Sequence, residues 1–172
     1  LDSNTVQVAA STFQEHRMTL APGTAAPDFH LPSDADGDLT LASAKGGKLV
    51  LYFYPKDDTS GCTTEAKAFT ALAAEFAAAD TLVIGVSKDS IAAHAKFRAK
   101  HALGVALGSD PEGKVVEAYG VWVEKSLYGR KYMGIERATF LIGRDGKVAQ
   151  AWHKVKVAGH AEAVLKAAQA LA

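Results

Sequence analysis

The sequence predicts an α/β fold, with a central mixed β-sheet flanked by helices. Three observations carry that expectation. Three short apolar runs, residues 49–54, 81–87 and 138–143, are rich in β-branched and aromatic residues, as strands covered on both faces are. Segments with helical periodicity lie between and after them. Two Asp-Gly pairs, Asp36-Gly37 and Asp145-Gly146, mark tight hairpin turns.

The elements follow in order. The first Asp-Gly pair joins short strands near 29–31 and 38–41. The run 49–54 is the first buried strand. Residues 63–78 read as one amphipathic helix, because Phe69, Leu72, Ala73 and Phe76 follow the i, i+3, i+4, i+7 rule. A second buried strand covers 81–87, and a helix covers 90–101. The third strand, 138–143, turns through Asp145-Gly146 into a partner over 147–152. A last helix presents Ala161, Val164, Leu165 and Ala168 on one face. Hairpin, β, α, β, α, hairpin and closing helix is the order of a thioredoxin fold.

Composition removes several function classes. The chain has 172 residues, enough for one domain. Nineteen basic residues balance nineteen acidic ones, for a formal net charge of zero. That gives no electrostatic case for a nucleic acid or an anionic membrane as partner. No apolar run is long enough to cross a bilayer. Cys62 is the only cysteine, so no intrachain disulfide forms, and a reducing compartment, the cytoplasm, is expected. Residues 1–17 show no basic stretch followed by an apolar one, as a signal peptide would. They are expected to be an N-terminal extension, with the domain over 18–172.

The informative stretch runs from Tyr52 to Ala66, Tyr-Phe-Tyr-Pro-Lys-Asp-Asp-Thr-Ser-Gly-Cys-Thr-Thr-Glu-Ala. A buried strand ends at Pro55, a polar loop follows, and a helix starts near Cys62. A cysteine in the first turn of a helix lies beside unpaired backbone N–H groups. Those groups and the helix dipole favour the thiolate. An ordinary cysteine is only about 3% thiolate at neutral pH. Complete ionisation therefore gains about 30-fold, or roughly 2 kcal/mol. An efficient thiol catalyst needs more, namely donors that stabilise charge on a leaving group.

The spacing Pro55-x-x-x-Thr59-x-x-Cys62 resembles the active-site motif of the peroxiredoxins. The longer string from Phe53 to Thr59, with Gly61-Cys62-Thr63, is similar to the bacterioferritin comigratory protein (PrxQ) branch. The likeness continues in Tyr119-Gly120-Val121-Trp122, Glu124-Lys125-Ser126 and the run from Gly134 to Ile142. It implies a peroxiredoxin-like thioredoxin fold and a thiol-dependent peroxidase. Within it Cys62 would be the nucleophile and Thr59 would hydrogen-bond the peroxide. Arg137 would stabilise the thiolate and the developing charge, and Pro55 would shield the sulfur. Hydrogen peroxide and organic hydroperoxides are the implied substrates, Cys62 sulfenic acid the intermediate, and no metal, haem or flavin is implied. The branch also suggests a monomer.

Two positions depart from the branch. Ser60 stands where it usually has proline. Lys67 stands five residues after the nucleophile, where many members carry a second, resolving cysteine. With one cysteine, the implied enzyme is of the one-cysteine type. Its sulfenic acid must be resolved by an external thiol, such as thioredoxin, glutaredoxin with glutathione, or a small thiol.

Each residue also has a plainer reading. A lone cysteine is commonly a buried small hydrophobe, Thr59 a helix cap, Arg137 an ion-paired arginine, and Pro55 a strand end. His94 and His101 read as solvated helix residues, and His153, Lys154 and Lys156 as a solvated basic surface. Trp122 and Trp152 read as packing residues. Residues 34–38 lack the spacing of a calcium loop. The competing function is a peroxide sensor or redox-regulated binding protein using Cys62. A thioredoxin-like disulfide reductase is disfavoured, because its chemistry needs a second thiol.

Overall fold

The computed structural model describes residues 20–35 and 37–172. The expected N-terminal extension over 1–17 lies outside the described residues, as does Asp36. A five-stranded mixed sheet forms the centre, built from β3 (Lys48–Phe53), β4 (Thr81–Ser87), β5 (Ala106–Ser109), β8 (Ala138–Ile142) and β9 (Val148–Trp152), in the order β5-β4-β3-β8-β9. β3, β4 and β5 run parallel, while β8 and β9 are antiparallel additions. The expected sheet is therefore present, and all three apolar runs lie in it.

Alternation along β3 divides the core in two. Leu49, Leu51 and Phe53 enter one apolar layer with Ile84, Val86 and Phe140. Val50, Tyr52 and Tyr54 enter the other with Cys62, Phe69, Phe76 and Phe97. Successive side chains of a strand point to opposite faces, so a strand apolar at every position needs cover on both sides. Helices α1 (Ser60–Ala71), α2 (Ala73–Ala78), α3 (Ile91–His101) and α5 (His160–Ala170) contribute to the Tyr52 layer. The short α4 (Lys114–Ala118) contributes Val115 and Val116 to the opposite layer.

The two expected hairpins form. β1 (His30–Leu31) pairs antiparallel with β2 (Leu39–Thr40), and β8 turns through Gly146, at φ +76°, into β9. The single helix expected over 63–78 is instead two. Leu72, at φ −100° and ψ 11°, separates α1 from α2. The periodicity continues across the break, but the buried face of α1 is Cys62, Glu65, Ala66 and Phe69, and Ala73 is exposed. Helix α3 starts as expected, with the Ser90 side chain accepting from the Ala93 N–H.

Elements not read from the sequence complete the fold. β5 and α4 follow α3. A two-stranded ribbon, β6 (Trp122–Leu127) and β7 (Arg130–Ile135), turns at Tyr128-Gly129. Both turn residues have positive φ, 51° and 76°. Ile135 and Val121 enter the core, while Leu127, Tyr128, Tyr132 and Met133 are exposed.

Phe69 joins α1 to the sheet. It is fully buried and stacks on Tyr52 with ring centroids 4.6 Å apart. Phe69→Ala is expected to destabilise the fold by about 3–5 kcal/mol through the cavity it leaves. Urea denaturation read by circular dichroism measures this, and a loss below about 1 kcal/mol contradicts the stated packing.

Candidate active site

The sheet register places the site. Antiparallel pairing sets Phe53 opposite Ala138. The start of β8 therefore lies beside the end of β3, where the loop to α1 begins. Arg137, just before β8, meets the first turn of α1 there. Its main chain is fixed by the Val155 N–H, which donates to the Arg137 carbonyl at 2.9 Å.

Cys62 is the third residue of α1 and is 1% exposed. The first intrahelical hydrogen bond runs from the Thr63 N–H to the Thr59 carbonyl. The earlier N–H groups of the turn, that of Cys62 among them, have no helical acceptor and make a local positive field. Arg137 Nη2 donates to Cys62 Sγ at 3.3 Å. Its Nη1 donates to Glu65 Oε1 at 2.8 Å. One guanidinium fork thus spans two buried groups on one helix face. Gly61 makes the approach possible, because a Cβ there would stand 3.1 Å from Arg137 Nη2.

Glu65 joins the site although no motif in the sequence marks it. It lies one turn after Cys62 and is 1% exposed. The available signal was its position at i+3 on the face that carries Cys62 and Phe69. Burial pushes its carboxyl up to about 7, against the opposing charge and hydrogen bond of Arg137. Its Oε2 and the Tyr52 hydroxyl are the buried side-chain atoms without a hydrogen-bond partner among the described residues. Burial, followed by the charges of Glu65 and Cys62, holds the Tyr52 proton well above the usual phenol range.

Other groups complete the electrostatics. His160 shares a 2.8 Å hydrogen bond with Thr139 Oγ1. Burial, then the charge of Arg137, lowers its pKa, which favours a neutral ring. Lys125 of β6 is also pushed down, first by burial and then by Arg137, with Cys62 acting in the opposite sense.

The loop before Cys62 is firmly held. Thr59 caps α1 in extended backbone without a side-chain cap bond. Its hydroxyl donates to the Lys56 carbonyl at 2.8 Å, so its oxygen lone pairs are left to accept. Asp58, at φ 59°, is paired with Lys100 Nζ at 2.7 Å and His101 Nε2 at 2.8 Å. Asp57 is buried, accepting from Tyr54 Oη at 2.6 Å and bonding His94 Nδ1 at 2.6 Å. Cys62 and Arg137 are in direct contact, and Thr59 is three residues before Cys62. Pro55 opens the loop and is itself exposed.

The solvated reading of the two helix histidines is corrected. His94 is 0% exposed, because it fills the space between the loop and β5, and His101 packs against Phe97 while bonding Asp58. His153 lies at the surface, bonded to Glu136 at 2.8 Å. Trp152 packs on His160, and Lys88 lies over the Trp122 ring. Among the described residues, no group of His, Cys, Asp and Glu is placed to hold a metal ion.

Comparison with known proteins places the chain in a family. Residues 22–151 match the AhpC/TSA family. The chain is 47% identical over 148 residues to a putative peroxiredoxin bcp of Coxiella burnetii, covering 86% of this chain and 98% of that protein. It is 47% identical over 149 residues to peroxiredoxin Bcp of Bacillus subtilis, covering 87% and 95%. Among solved structures, a peroxiredoxin Q of Xanthomonas campestris superposes with a TM-score of 0.78 at 47% identity, covering 83% of this chain and 90% of that one.

Glu65 makes stability depend on pH. The folded carboxyl keeps its proton up to about 7, whereas the ordinary value is 4.5. The folded state thus holds an extra proton between those values, and stability falls as pH rises through that window. The full effect is on the order of 3 kcal/mol. Glu65→Gln, which does not titrate, is expected to flatten this fall. Urea midpoints measured across the window test it, and equal slopes in the two proteins contradict the placement of Glu65.

Proposed function

This chain belongs to the AhpC/TSA family, in its Bcp (peroxiredoxin Q) branch, and from that we propose how its own residues reduce a peroxide. The activity is thiol-dependent peroxide reduction. The observation that carries the residue assignment is the 3.3 Å contact of Arg137 Nη2 with Cys62 Sγ at the start of a helix.

The Cys62 thiolate attacks the terminal oxygen of ROOH. An S–O bond forms, the O–O bond breaks, and RO⁻ takes a proton to leave as ROH. Cys62 remains as sulfenic acid. Thr59 accepts the peroxide O–H, because its own proton is committed to the Lys56 carbonyl. Arg137 and the Cys62 N–H face the charge that moves from sulfur to the departing oxygen. This charge stabilisation gives the larger share of the acceleration. Pro55 covers the solvent side of the sulfur.

Completion of the cycle needs two external thiols, since Cys62 is the only cysteine. The first displaces water from the sulfenic acid to form a mixed disulfide. The second releases the Cys62 thiol and the oxidised reductant. A dithiol protein such as thioredoxin, or glutaredoxin with glutathione, supplies both. The proposed working unit is a monomer, as the branch resemblance suggests, in a reducing cytoplasm that suits a chain with one cysteine.

The protein should form one sulfenic acid, at Cys62, with one equivalent of hydrogen peroxide or an alkyl hydroperoxide. Excess peroxide without reductant should carry it on to sulfinic acid, and Cys62→Ser should be inert. Dimedone trapping and mass spectrometry read both states. Peroxide consumption by Cys62→Ser at a rate near wild type sinks the assignment.

A further inference from the structure

His94 has no part in the chemistry just described, yet it is fully buried, at 0% exposure. Both ring nitrogens face acceptors. Nδ1 lies 2.6 Å from Asp57 Oδ2 and Nε2 lies 3.1 Å from the Gly108 carbonyl oxygen. A carbonyl only accepts, and so does an ionised carboxylate. A doubly protonated ring, an imidazolium, satisfies both acceptors at once. Asp57 in turn takes the Tyr54 hydroxyl on its other oxygen, at 2.6 Å, and its N–H donates to Asp89 Oδ2 at 2.9 Å. Asp57 sits midway between Pro55 and Thr59.

We propose that His94 is a positioning residue of the peroxide site: as an imidazolium clamped between Gly108 and Asp57, it fixes the loop that aims Thr59 and the first turn of α1. The proposal rests on the reading that this loop receives the peroxide. His94 is on α3 and touches no reacting atom. It acts through Asp57, two residues before Thr59.

The charged surroundings favour the protonated ring. Asp57 faces it from the catalytic loop, Asp89 from the connection after β4, and Asp34 from the connection between β1 and β2, with Tyr54 above it at the end of β3. Asp34 is itself bound by the Arg98 fork at 2.7 and 3.1 Å. Burial pulls the imidazole pKa down, but the hydrogen bond and charge of Asp57, with Gly108 and Asp89, raise it overall. The clamp is therefore complete below the ordinary histidine range, and it is lost as pH rises through the raised value.

Two substitutions separate positioning from packing. Asparagine places an amide N–H near the position of Nδ1 and keeps a donor for Asp57. Glutamine places one near Nε2, facing Gly108, and leaves Asp57 without its donor. His94→Gln should lower the second-order rate constant for hydrogen peroxide about 10- to 100-fold, as small misplacements of a site do. His94→Asn should stay near wild type, although both variants lose thermal stability. The ¹⁵N shifts of the wild-type ring at neutral pH should show two protonated nitrogens. Equal rates in the two variants, or a ring with one bare nitrogen, overturns the proposal while leaving peroxide reduction by Cys62 standing. Activity retained by Cys62→Ser would instead remove the reading beneath it. If His94→Gln does not fold, the wild-type spectrum and His94→Asn still decide.

Discussion

The site depends on one guanidinium with two obligations. Arg137 reaches the sulfur with one arm of its fork and Glu65 with the other. A buried cation is costly to desolvate unless its partners are close and well aligned. Glu65 lies on the same helix face as Cys62, one turn further on, so a planar fork meets both without bending the helix. The fold serves that contact. Pairing of β3 with β8 brings Arg137 to the end of the strand that launches the loop, and Gly61 leaves room for the approach.

The same layer holds other buried charges, each with a partner. Asp57 and His94 hold the loop to α3, and Lys48 donates to the Ala168 and Leu171 carbonyls at the end of α5, at 2.6 and 2.8 Å. A cation at a helix C-terminus satisfies carbonyls that the helix leaves open. Glu65 is only half satisfied, because Arg137 serves one of its oxygens and the other is unpaired. Burial, opposed by Arg137, makes its carboxyl hold its proton to about 7. The site thus combines a rigid loop with one carboxyl whose charge changes near neutrality, and Arg137 connects that change to the sulfur.

Much of this was legible in the sequence, for physical reasons. Strands buried on both faces must be apolar throughout, so β3, β4 and β8 announced themselves. Cys62, Thr59 and Pro55 stood out through a motif whose spacing is set by a strand, a loop and a helix start, and Arg137 through the later run from Gly134 to Ile142. The ribbon β6–β7 did not. Its strands, Trp-Val-Glu-Lys-Ser-Leu and Arg-Lys-Tyr-Met-Gly-Ile, are largely exposed and polar, and Tyr128-Gly129 is not a usual hairpin pair. The break at Leu72 was hidden because alanine-rich sequence continues the helical period on both sides. His94 and Glu65 were passed over because a polar residue on a helix is ordinarily solvated. Their partners are 37 and 72 residues away in sequence, and only the fold brings them together.

In this site one planar fork must serve sulfur and carboxyl at once. Arg137→Lys tests it most directly, because lysine keeps the positive charge but offers a single ammonium in place of the fork. Stopped-flow measurement of the first peroxide reaction, at a pH where the thiol is fully ionised, removes ionisation from the comparison. Arg137→Lys is expected to lose nearly as much rate as Arg137→Ala, on the order of 100-fold for a lost charge-stabilising donor. A lysine variant within about threefold of wild type, a difference well under 1 kcal/mol, contradicts it, because charge alone would then suffice.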